Sequence, residues 1–87
     1  SLTAGSDQGV GGNPNSITID ANHLLLFVTS VSDNIVTPFQ INRTTGGITR
    51  GTPVATENTP FRGAIDPSGR YLYISNYGSN SISCYSI

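Results

Sequence analysis

The chain contains no lysine, methionine or tryptophan, and only one cysteine and one histidine. Each shortage excludes something. A lone thiol, Cys84, makes no internal disulfide and no cysteine metal cluster. The four basic residues are all arginines, scattered over a chain of net charge −1. They form no stripe, so nothing electrostatic points to nucleic acid. The longest apolar run, Leu24 to Val28, is far shorter than the ~20 residues that span a bilayer as a helix. Nowhere do apolar residues recur at helical spacing over about ten residues, so no helix is predicted.

What remains is turn-dense β composition. Charged residues are 10% and apolar residues 36% of the 87, too apolar for simple disorder. Asp66-Pro67-Ser68-Gly69 reads as a tight turn: Asp66 caps it, Pro67 presets φ at the first corner, and Gly69 takes the positive φ that closes it. Tyr71-Leu72-Tyr73-Ile74-Ser75 follows, aromatic and β-branched, hence a strand. It lacks apolar/polar alternation, which predicts cover on both faces. After the turn at Asn76 to Asn80, residues 81–87 alternate. Ile82, Cys84 and Ser86 share one face, with Ser83, Tyr85 and Ile87 on the other. Cys84 reads as a small buried apolar residue.

A second copy lies 46 residues upstream without a gap. Pro14 matches Pro60, Asp20 matches Asp66, Leu26 matches Leu72, Asn34 matches Asn80 and Ile41 matches Ile87. Leu2, Thr3 and Gly5 match Ile48, Thr49 and Gly51. Two repeats follow, residues 1–46 and 47–87, each an outer strand plus three more. The predicted strands are 1–5, 16–20, 24–29, 35–41, 48–54, 62–66, 70–75 and 81–87. Asn42 to Gly47 is a polar turn that includes Gly46 and Gly47. Two local conflicts are expected. Ala21-Asn22-His23 replaces Pro67-Ser68-Gly69, so His23 has to accept the positive φ. Pro38 falls inside a strand, where its missing N–H implies a bulge or a partner strand that stops short.

A repeat of this length with four short antiparallel strands has the size of one β-propeller blade, which recurs at ~40–50 residues. The expected fold is therefore all-β, about two four-stranded antiparallel blades. A β-sandwich is the rival, but it has no reason to repeat. Two blades alone leave apolar faces and open sheet edges, so the chain is read as a fragment of a larger ring or a subunit contributing to one.

Pro60-Phe61-Arg62-Gly63-Ala64-Ile65-Asp66-Pro67-Ser68-Gly69-Arg70-Tyr71-Leu72-Tyr73-Ile74-Ser75-Asn76 resembles the YVTN-type repeat of lactonase-like seven-bladed β-propellers. That group includes 6-phosphogluconolactonase-type enzymes and bacterial surface or secreted proteins. Thr44-Thr45-Gly46-Gly47-Ile48 resembles the Thr-Gly turn leading into their outer strands. The resemblance implies a fold, since the matching residues are turn and strand residues.

Candidate chemistry is sparse. Arg62, entering an innermost strand beside Phe61, is placed to bind an anionic sugar or carboxylate. His23 is the only imidazole, read chiefly as a turn residue with a possible ligand role. Asp20 and Asp66 occupy equivalent turns and cap them. No metal or cofactor is expected, and Asn42-Arg43-Thr44 fits a glycosylation sequon. The functional expectation is a propeller module that binds a protein, glycan or small anionic sugar and is completed by further blades of a longer chain or of other copies. The alternative is a lactone hydrolase of the 6-phosphogluconolactonase type with its site formed across blades. The Thr/Asn/Gly-rich composition leans towards an exported bacterial protein.

Overall fold

The computed structural model describes residues 2–87. They form β1 (Pro14–Asp20), β2 (Leu25–Ser30), β3 (Ile35–Ile41), β4 (Ile48–Arg50), β5 (Val54–Ala55), β6 (Pro60–Ile65), β7 (Tyr71–Asn76) and β8 (Ser81–Ser86), with no helix among the described residues. The strands make two antiparallel sheets. One runs β1-β2-β3-β4, with β5 also on β3; the other runs β6-β7-β8.

The 46-residue spacing read from the sequence reappears in the backbone. Ile17 pairs Val28 and Gly63 pairs Ile74; Leu26 pairs Phe39 and Leu72 pairs Tyr85. Both inner strands are bulged at the same place, Pro14/Ser16 and Pro60/Arg62. Left-handed backbone recurs too: Asn13 and Thr59 at φ 51° and 56°, Asn34 and Asn80 at 55° and 51°. Asparagine tolerates this region through its short polar side chain; threonine does so rarely, so Thr59 is held there by its surroundings.

The sheets stack through one face of each. Phe27 and Val36 meet Leu72 and Ile74 in the core, with Leu25, Ile65, Tyr85 and Ile87 around them. The approach is closest at β1 and β6. A Cβ built on Gly63 would lie 2.6 Å from Thr18 Oγ1 and 3.0 Å from Ile74 Cδ1, so a side chain there forces the sheets apart. Further links are Asn15 Nδ2 to the Phe61 carbonyl at 3.1 Å, Thr59 N–H to Asn34 Oδ1 at 2.9 Å, and Tyr85 hydroxyl to the Ala55 carbonyl at 2.8 Å.

Several expectations change on contact with the structure. The sheets are phased one strand away from the sequence units: residues 48–55 pair with β3, not β8. A strand that follows a tight turn returns to the strand it has just left. Residues 2–10, with the predicted strand at 1–5, carry no strand, since they have no third strand to join; Ser1 lies outside the described residues. Leu24 rather than His23 takes the positive φ, at 53°. Pro38 leaves the β2 side of β3 in register, and it is the outer strand that breaks, between Arg50 and Val54. There Gly51 N–H donates to the Pro38 carbonyl at 2.7 Å, on the edge where proline has no donor. Finally, β7 is covered on one face only: Leu72, Ile74 and Asn76 are buried while Tyr71 and Tyr73 face out. Cys84 shares that open face and is exposed, not buried.

Candidate functional site

The inner strands β1 and β6 lie side by side, with Asn15 beside Phe61 near one end and Asn22 beside Gly69 at the other. They therefore run in the same direction, so equivalent turns of the two blades collect at the same end of the stack.

At the entry end, the bulge after Pro60 turns Phe61 and Arg62 outward. The Arg62 guanidinium lies over the Phe61 ring, 5.1 Å from its centroid. Tyr77 stands beside it, ring centroids 6.2 Å apart and planes inclined at 42°. Tyr77 reaches this place because its N–H donates to the Thr59 carbonyl at 2.8 Å, and Gly78 N–H to the Asn58 carbonyl at 3.1 Å. Asn58 N–H in turn donates to Ser79 Oγ at 2.8 Å. The result is an aromatic ledge with a cation on it, opening on a groove of about 500 Å³ lined by Asn13, Pro14, Asn15, Thr59, Phe61 and Tyr77. Tyr77 is 78% exposed, so its face is free to stack on a ligand.

At the exit end sit the two aspartates. The buried Asp20 carboxylate accepts Asn22 N–H at 3.0 Å and is 2.6 Å from His23 Nδ1. Asp66 accepts the N–H groups of Ser68, Arg70 and Tyr71 at 3.2, 3.0 and 2.8 Å, and the Ser68 hydroxyl. The Ser68 hydroxyl above all, then those backbone donors, hold its carboxyl below the ordinary 3.8 against an opposing desolvation. Gly69 closes that turn at φ 74°, and Pro67 precedes it. Gly46 is likewise left-handed at φ 77°, in the turn where Asn42 Oδ1 accepts Thr44 and Thr45 N–H and Gly47 N–H donates to Thr45 Oγ1. On the open face, desolvation first, then the charges of Cys84 and Asp66, push the Tyr73 phenol up.

The structure thus brings Phe61 and Arg62 together and leaves His23 at the far end with Asp20. Tyr77 and Asn15 were not singled out from sequence. A signal existed for Asn15, which stands one repeat before Phe61. Tyr77 has none, because its repeat equivalent is Val31 and its position depends on the Thr59 carbonyl.

No protein-family model matches the chain, and no curated protein matches it. Among solved structures it is similar to the periplasmic gluconolactonase PpgL of Pseudomonas aeruginosa, a β-propeller, with TM-score 0.79 and 22% identity over 98% of this chain and 24% of that one. Stacked antiparallel sheets with equivalent faces, together with this likeness, define the class: the chain is all-β and forms two blades of a β-propeller of lactonase-like fold. It spans about a quarter of the length of the structure it matches.

Proposed function

We propose that the chain is a propeller module that binds small sugar acids at the Phe61–Arg62–Tyr77 ledge and works within a larger ring. One observation carries this: an exposed guanidinium stacked on one aromatic ring with a second aromatic face free beside it. A sugar ring stacks on Tyr77, and its carboxylate meets Arg62 with charge-assisted hydrogen bonds. Likeness to a gluconolactonase supports a ligand of this class and an exported setting, as in that periplasmic protein. The finer kinship with YVTN-type repeats rests on residues 60–76.

The test is a titration of the 87-residue chain with D-glucuronate and with D-glucose, followed by the tyrosine resonances. Arg62→Gln is expected to weaken glucuronate by about fivefold and leave glucose unchanged. Tyr77→Ala is expected to weaken both. Saturable binding untouched by either variant sinks the proposal. Turnover of gluconolactone by the chain, abolished in Arg62→Gln, would replace it with the hydrolase reading.

A further inference from the structure

The groove beside the aromatic ledge lies between the chain's own two blades, and its walls are equivalent positions with different chemistry. Asn13, Asn15 and Val31 line it from the first blade; Thr59, Phe61 and Tyr77, each 46 residues on, line it from the second. The backbone carrying the two walls is alike. Val31 N–H donates to the Asn13 carbonyl at 3.0 Å, as Tyr77 N–H donates to that of Thr59 at 2.8 Å, and Asn13 and Thr59 share a left-handed φ of 51° and 56°. The turn geometry therefore does not dictate the side chains. The second blade presents aromatic faces, whereas the first presents two exposed amides.

Hydrogen bonds within the chain decide which end of each amide is open. The Phe61 carbonyl can only accept, so the Asn15 atom facing it at 3.1 Å is Nδ2 and the amide oxygen points away. Asn13 Nδ2 donates to Ser32 Oγ at 2.5 Å, which frees its oxygen in the same way. Neither oxygen accepts a side-chain or backbone hydrogen bond among the described residues. An amide oxygen repels a carboxylate or a phosphate and takes up an O–H, so this wall suits hydroxyl groups and disfavours a second anionic group.

We propose that Asn15, with Asn13 two residues before it, is the specificity element of the groove. The amide oxygens accept hydroxyl protons of a ligand that stacks on Tyr77 and sets its carboxylate on Arg62. The ligand class is then a polyhydroxylated monocarboxylate, not a bare carboxylic acid or a sugar phosphate. This inference rests on sugar-acid binding at the ledge and adds the first blade's part in it.

The experiment titrates the 87-residue chain with D-glucuronate and with tetrahydropyran-2-carboxylate, which keeps the ring and carboxylate but has no hydroxyls. Asn15→Ala is expected to weaken glucuronate about three- to fivefold, the worth of one net hydrogen bond, and to leave tetrahydropyran-2-carboxylate unchanged. Asn13→Gly, which keeps the left-handed backbone and deletes the amide, should act in the same direction. An Asn15 that merely holds Phe61 in place would instead weaken both ligands equally. That result, or no effect of either variant on glucuronate while Arg62→Gln and Tyr77→Ala still weaken it, would overturn this inference and leave the ledge standing. Binding of both ligands that ignores Arg62→Gln and Tyr77→Ala would remove the ledge and this inference together.

Discussion

The two blades share a backbone and differ in their cover. In β2 the last four residues, Phe27 to Ser30, are all buried, whereas β7 alternates buried and exposed along its whole length. Yet Leu25-Leu26-Phe27-Val28-Thr29 and Tyr71-Leu72-Tyr73-Ile74-Ser75 have the same chemical character. Burial here is a property of what lies against a strand, and sequence pattern reports only what the strand is built to accept. In the first blade the segment before β1 lies over one face and the second blade over the other; the second blade has the first on one side alone.

The sharpest way to break that comparison uses one residue type at equivalent positions. Leu72 is almost fully enclosed, whereas Leu26 is half-buried on the less covered face of its blade. Leu72→Ala is expected to cost about 2–5 kcal/mol through lost burial and the cavity left behind. Leu26→Ala should cost roughly 1–2 kcal/mol, because less area leaves water in the first place. Urea midpoints measure both, and equal costs would mean that cover does not distinguish the blades.

The turn and strand positions were legible because they depend on local chemistry. Asp-Pro-Ser-Gly, the asparagines at the strand junctions and the 46-residue match all act within a few residues of themselves. Pro38 was legible as a conflict to be met by a bulge or by a partner strand that stops short, and the break between Arg50 and Val54 is the second of these. What failed to show was set by partners. The phase of residues 48–55 depends on which sheet edge is nearer, and the exposure of Cys84 on whether a sheet covers it. The ledge was half visible: Arg62 and Phe61 are neighbours in sequence, but Tyr77 joins them only through the Thr59 carbonyl.

A second comparison, between the two β-turns at the exit end, predicts smaller effects of opposite sign. Gly69 sits at φ 74° with its missing Cβ only 2.5 Å from Asn22 Nδ2. Gly69→Ala should cost about 1–2 kcal/mol from the left-handed backbone, while the asparagine, a flexible side chain, moves aside. Leu24 holds a left-handed φ of 53° with a branched side chain. Leu24→Gly removes that strain and gives up some half-buried surface, so the net change should be neutral or stabilising by up to about 1 kcal/mol. A loss as large as that for an ordinary buried leucine would mean the side chain, not the backbone, decides this turn.

The smallest effect concerns the carboxylate that caps the second turn. Asp66 is held below its ordinary 3.8, first by the Ser68 hydroxyl and then by backbone donors, with desolvation opposing. Because the folded value is the lower one, the ionised form is favoured by folding. Its stabilisation is present above the unfolded value and is lost as pH falls through the depressed folded value. Asp66→Asn keeps an acceptor for the turn but cannot titrate. The stability difference between the parent and Asp66→Asn should therefore shrink on going from about pH 5 to pH 2. Ser68→Ala removes the largest cause and should move that loss to higher pH. Unfolding midpoints of the three proteins across this range give the answer. A parent and an Asp66→Asn variant that lose stability in parallel would place the acid sensitivity elsewhere, leaving the exposed cap of the second blade without the electrostatic role that its donors imply.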